Sequence, residues 1–199
     1  MIGINKKRLF VVAFALAMSG CTTLDQLTGR GVVTERTSGF DNATLIEASP
    51  NALANVDGTW TEPLELGARW SSAAPESVAL VVGWAPGTAG TLVFSDTRAF
   101  FINIDGDISQ YSAGEPTSRA ASGGGSAGSN RLYGMNEVVI PYSVLERMTA
   151  ARDCRIRVQT SNGFVDFDFT RAHALGGKPT AINAINQLMA KVAAVRNKA

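Results

Sequence analysis

Period-two alternation dominates this chain. Leu64, Leu66, Ala68 and Trp70 are separated by Glu65, Gly67 and Arg69, which puts an apolar set on one strand face and a polar or small set on the other. Residues 78–84 are apolar almost throughout, the pattern of a central strand covered on both sides. The same reading predicts strands at 32–37, 43–48, 64–71, 78–84, 91–94, 98–104, 107–111, 137–140, 154–160 and 164–169.

Turn chemistry joins some of these into hairpins. Asn162-Gly163 is a favoured type I′ pair and would set Val158 opposite Phe167, Ile156 opposite Phe169 and Arg157 opposite Asp168. One face is then apolar, and the other carries Arg155, Arg157, Gln159, Asp166 and Asp168. A slip of one residue would mix the two sets. Asp105-Gly106 predicts a second hairpin between 98–104 and 107–111.

Two stretches change to helical spacing. Ser143 and Glu146 form a capping-box pattern after Pro141 and open a helix over 144–151, with Leu145 and Met148 on one side. From Pro179-Thr180 onward, Ile182, Ile185, Leu188, Met189, Val192 and Val195 make an apolar stripe, with Lys191, Arg196 and Lys198 toward the end that favours positive charge. Many strands followed by late helices, without regular strand-helix alternation, imply an α+β fold: mainly antiparallel β, sandwich-like or one curved sheet, with a short capped helix and a C-terminal amphipathic helix. Residues 112–134 contain the run Gly123-Gly124-Gly125-Ser126-Ala127-Gly128-Ser129, so a mobile loop is expected there.

The beginning of the chain follows a different rule. Lys6, Lys7 and Arg8 precede ten apolar residues, 9–18, and then Ser19, Gly20 and Cys21. At 1.5 Å per residue such a run reaches about half of a ~30 Å hydrocarbon core, so it reads as a cleaved export signal rather than a permanent span. Residues 16–21, Leu-Ala-Met-Ser-Gly-Cys, resemble the lipobox of bacterial lipoproteins; Met18 stands where that family usually has Leu. The resemblance covers residues 1–21 only. It implies cleavage before Cys21, diacylation of its sulfur and acylation of its new amino group, with Thr22 favouring the outer membrane. The alternative is a plain secretory signal cut near Ala17 or Ser19. The expected organisation is a signal peptide at 1–20, a lipidated tether at 21–30 and one domain at 31–199 carrying the Gly/Ser-rich 112–134 loop.

Composition narrows the function classes. Of 199 residues, 45% are hydrophobic and 18% charged, an ordinary globular balance. Residues 21–199 hold 15 basic and 17 acidic side chains, a formal −2, which gives no electrostatic reason to expect a nucleic-acid partner. With Cys21 consumed by lipid, Cys154 is left alone and reads as a small buried hydrophobe.

Candidate chemistry is sparse. Gly124-x-Ser126-x-Gly128 matches the nucleophile-elbow pattern, and Asp153, Asp166 or Asp168 followed by His173 gives a triad-like order, but Ser126 lacks the strand and helix that an elbow requires. Asn103, Asp105 and Asp107 supply too few oxygens for a calcium loop, and one histidine, His173, gives no zinc spacing; no metal or other cofactor is implied. Trp60, Trp70 and Trp84 are candidates for a sugar or peptide platform, but Trp70 and Trp84 occupy core-facing positions and read as packing residues. Arg147, Arg152, Arg155 and Arg157 interleave with acids, as on a mixed solvated surface. The expectation is a lipid-anchored envelope protein, held to the membrane through its N-terminal lipid, acting as a non-catalytic binding or assembly module with a possible envelope protein partner. The rival is a hydrolase using Ser126 or a carboxylate such as Asp105 or Asp107.

Overall fold

The alternating stretches pair antiparallel into two stacked sheets. A computed structural model describes residues 29–56, 64–84, 99–115, 117–121, 131–160, 163–173 and 177–197. The strands are β1 (Val33–Thr37), β2 (Thr44–Ala52), β3 (Ala54–Asn55), β4 (Leu64–Ser71), β5 (Ser77–Trp84), β6 (Ala99–Ile104), β7 (Asp107–Ser112), β8 (Thr117–Ala121), β9 (Arg131–Pro141), β10 (Cys154–Thr160) and β11 (Gly163–Asp168). Helix α1 (Tyr142–Ala150) links β9 to β10, and α2 (Ala181–Arg196) closes the described chain. One sheet has the order β1-β2-β4-β5-β9-β8 and the other β3-β11-β10-β6-β7. The fold is α+β, mainly antiparallel and sandwich-like, with a short helix and a longer C-terminal one.

A single core fills the space between these layers. The six-stranded sheet contributes Ile46, Leu66, Trp70, Leu80, Val82, Val138 and Ile140; the other contributes Phe100, Ile102, Ile156, Val158 and Phe167. Helix α2 lays Ile185, Leu188 and Val192 against β2 and β4, and α1 adds Leu145 and Met148. Trp70 is core, with its indole N–H satisfied by the Pro75 carbonyl at 3.1 Å. Trp60 lies outside the described residues, as does the side chain of Trp84. In β5, Val81 is buried on the face opposite Val78, Leu80 and Val82, so this strand is covered on both sides in its second half.

Several local expectations are corrected. The β10–β11 hairpin pairs Arg157 with Asp166, Ile156 with Phe167 and Val158 with Val165, two residues away from the register expected of an Asn162-Gly163 turn. Ser161 and Asn162 separate the last pair, Thr160 with Gly163, and Gly163 has φ +118°. A shift of two keeps each side chain on its face, so alternation could not tell the registers apart. The Asp105-Gly106 hairpin forms as expected, with φ +51° and +100°.

The capping box at Ser143 does not form. The helix begins two residues earlier than expected, at Tyr142, because β9 runs into it through Pro141 and the Tyr142 N–H is taken by the Glu76 carbonyl at 2.9 Å. At α2, the Thr180 hydroxyl donates to the Arg171 carbonyl instead of capping the helix. Finally, β8 and the first turns of the β9 ladder fall within residues 112–134, where a loop was expected. Thr117–Ala121 has little apolar alternation; its pairing with β9 supplies what local propensity does not. Residues 122–130, including Ser126, lie outside the described residues, as do the strand expected at 91–94 and the signal and Cys21.

Candidate functional site

The described chain enters the domain through a built seat on β2 and β4. Between Ala48 and Asn51 the β2–β4 register shifts in a bulge. The bulge brings the backbone of residues 48–50 so close to β4 that only glycine fits at position 67: a Cβ there would lie 2.5 Å from the Ala48 carbonyl oxygen and 2.9 Å from the Pro50 nitrogen. The same bend leaves Ser49 facing the incoming chain. Its hydroxyl donates to the Gly29 carbonyl at 2.7 Å and accepts from the Val32 N–H at 2.9 Å, while the Ser49 N–H donates to the Val32 carbonyl at 2.9 Å. Beyond the bulge, Asn51 is buried and donates to the Pro179 carbonyl at 3.1 Å, tying the seat to the start of α2.

A buried charge sits beside this seat. Glu65, on β4, is 5% exposed, and the Arg30 guanidinium lies 2.7 Å from its Oε1. That approach is out of line for a hydrogen bond to Oε1, so the contact is Coulombic. Burial raises the Glu65 pKa above the usual carboxylate value, and Arg30 opposes the rise. Farther along the same outer face, Arg69 bridges Glu137 at 2.6 Å and Glu47 at 3.4 Å. Gly29 and Arg30, the last residues of the stretch read as a tether, are therefore in contact with the domain.

The outer face of the five-stranded sheet is a second surface. Arg157 grips Asp166 through two hydrogen bonds, 2.6 and 2.7 Å, and stands 5.5 Å from the centre of the Phe164 ring. Phe164 in turn meets Phe101 edge to face, with centroids 6.0 Å apart, and remains 57% exposed. The guanidinium lowers the Asp166 pKa.

The residues singled out by sequence are scattered and engaged. The Asp105 carboxylate accepts the Asp153 N–H at 2.9 Å and the Arg152 N–H at 3.4 Å, fastening the β6–β7 turn to the loop before β10. Asn103 Oδ1 accepts the Gly106 N–H at 2.8 Å, and Asp107 pairs with Arg147 at 2.5 Å. Their oxygens thus face backbone donors and a guanidinium, and no metal-holding group of His, Cys, Asp and Glu occurs among the described residues. Arg155 pairs with Asp153 at 3.0 Å, so three of the four clustered arginines have acidic partners. His173 is exposed and makes one bridge to Pro179. Cys154 is buried; burial, then the charges of Asp153, Asp168 and Asp105, push its thiol up to about 12.

Sequence reasoning missed the Arg30–Glu65 pair and the fully exposed Phe40. Nothing local marks Arg30 as a partner of a residue 35 positions away. Phe40 does carry a signal: a large apolar side chain inside Ser-Gly-Phe-Asp-Asn, a composition made for turns. Among the described residues no helix is long and apolar enough to cross a membrane, which does not bear on lipid anchoring. The chain matches no family model, no curated protein and no solved structure.

Proposed function

We propose that this is a lipid-anchored cell-envelope protein, attached through Cys21, whose domain serves as a non-catalytic binding or assembly module at the bilayer surface. One observation carries the reading: three positive charges, ten apolar residues and Ser-Gly-Cys in direct succession, ending at Cys21. Several acyl chains on one cysteine, at about 0.8 kcal/mol per buried methylene, hold a protein to a membrane permanently. Only seven residues separate Cys21 from Gly29, where the chain meets Ser49, so the domain works close to that membrane. Thr22 after the cysteine favours the outer membrane, facing the periplasm.

The non-catalytic part draws support from how the candidate groups are used. Asp105 and Asp107 spend their oxygens on structural contacts, and Cys154 is a buried thiol. The outer sheet face around Phe101, Phe164 and Arg157 offers aromatic and charged groups to a protein partner. The test is Cys21→Ser followed by envelope fractionation. The reading expects the wild-type chain in the membrane pellet and the variant in the soluble fraction; retention of the variant in the pellet refutes the lipid anchor.

A further inference from the structure

The five large apolar side chains exposed among the described residues are Phe40, Val56, Ile108, Val139 and Phe164. They are not equivalent. Phe164 is partly covered by Phe101 and Arg157, and Val139 lies on the strand that carries Glu137 and its partner Arg69. Phe40 is 103% exposed: its ring rests on no other described residue.

The segment presenting that ring is ordered. The β1–β2 turn is closed by the Ser38 N–H to the Ala43 carbonyl at 2.8 Å and the Asn42 N–H to the Ser38 carbonyl at 3.2 Å. Two side chains brace it, with Asp41 Oδ1 accepting the Ala43 N–H at 3.2 Å and Ser38 Oγ accepting the Phe40 N–H at 3.4 Å. Asn42 takes the left-handed conformation, φ +56°, that the tight reversal requires. A braced turn that thrusts out an unpacked aromatic ring exposes apolar surface with no return in intramolecular packing. It also loses little conformational freedom when the ring finds an apolar medium.

The reach of the tether allows a membrane to be that medium. From Cys21 to Gly29 is eight residue steps, at most about 26–29 Å when fully extended. Gly29 is fixed at Ser49, and β2 runs from there back to Thr44, five strand steps or about 17 Å. The turn adds a few ångströms more, so Phe40 stands roughly 20–25 Å from Gly29. The tether therefore just spans the length of the hairpin, and the domain can stand with the turn against the same surface that holds the lipid. Asp41 in the turn and the exposed Arg36 just before it offset one another, so the fitting surface is a zwitterionic one.

We propose that the β1–β2 turn is a second, non-covalent membrane contact, with Phe40 entering the interfacial zone of a zwitterionic bilayer and fixing how the lipid-anchored domain stands on it. This rests on the Cys21 anchor proposed above, and the test separates the two. Gly39 is the labelling site: a Cβ there meets nothing within 4 Å, and its φ is outside the left-handed region. The full chain is processed in its host, purified and placed in phosphatidylcholine vesicles. Gly39→Cys carries a polarity-sensitive fluorophore and is compared with and without Phe40→Ala.

The expected result is a blue-shifted emission quenched by lipids brominated near the headgroup, with both effects largely lost when Phe40 is replaced. Emission unchanged from that of an aqueous label, or a shift indifferent to Phe40→Ala, overturns the proposal. A shift seen only in native envelope fragments and not in pure lipid also overturns it, in favour of a protein contact. The unsubstituted chain reports on the anchor itself, because Cys154 is buried and an acylated Cys21 has no thiol. No label taken up under native conditions supports the anchor; one label per chain overturns the anchor and the reach argument together.

Discussion

Replacing Arg30 with alanine strikes the point where the entering chain meets a buried charge. The Glu65 carboxylate is 5% exposed and 2.7 Å from a guanidinium whose side chain is 44% exposed. Removing one partner of a fully buried pair costs about 3–5 kcal/mol. Water can reach the Arg30 side of this pair, so the expected loss for Arg30→Ala is about 1–3 kcal/mol near neutral pH. The pH dependence gives the sharper test. Because burial raises the Glu65 pKa, the folded protein holds this proton more tightly than the unfolded chain does. The cost of the buried charge is therefore absent below the ordinary carboxylate range, grows as pH rises toward the raised folded value, and is complete above it. Without Arg30 the folded value moves higher still, so the variant's deficit is largest near neutrality and shrinks as pH falls. Urea unfolding of wild type and variant at about pH 7 and about pH 4 measures the difference. Glu65→Gln completes a double-mutant cycle, in which Arg30→Ala costs less than about 0.5 kcal/mol once the charge is gone. A deficit of equal size at both pH values, or an equal cost in the Gln background, refutes the argument.

Three further outcomes follow from the same geometry. Gly67→Ala forces a Cβ against the Ala48 carbonyl and the Pro50 nitrogen and is expected to destabilise by about 1–3 kcal/mol in chemical denaturation, because the obstruction is backbone. Arg157→Ala breaks an exposed ion pair and a ring contact and is expected to leave the denaturation midpoint almost unchanged in the same assay, despite its two short hydrogen bonds to Asp166. Cys154, buried and with its pKa pushed up to about 12, is expected to stay unreactive toward a thiol reagent at about pH 8 in the folded protein and to react once denatured.

The fold was legible where apolar and polar side chains alternate. Strand β10 reads directly off Cys154, Ile156 and Val158, whose neighbours Arg155 and Arg157 are solvated, and β4 off the alternation from Leu64 to Trp70, although there Glu65 and Gly67 on the other face are buried as well. Legibility stopped where long-range contacts replace local signals. The first helix starts at Tyr142 because Glu76, far away in sequence, accepts its N–H, and β8 exists because β9 offers it a ladder. The hairpin register was off by two because Arg157 has a carboxylate to face in either register, Asp166 or Asp168.

The entry seat shows the same division. Gly67 is an ordinary gap in an alternating strand until the bulge at Ala48 and Asn51 brings Pro50 against it. The Arg30–Glu65 pair joins two segments that carry no signature of each other. Only the proposed anchor is written contiguously, because a lipidation signal has to be read from an extended chain; there the residues themselves are the signal.

Intact mass of the protein purified from its own membranes tests the anchor most directly. The expected product is a chain that begins at Cys21 and is heavier than residues 21–199 by three acyl chains and a glycerol. A mass equal to the bare polypeptide, whether it begins at residue 1 or near Ala17 or Ser19, contradicts it.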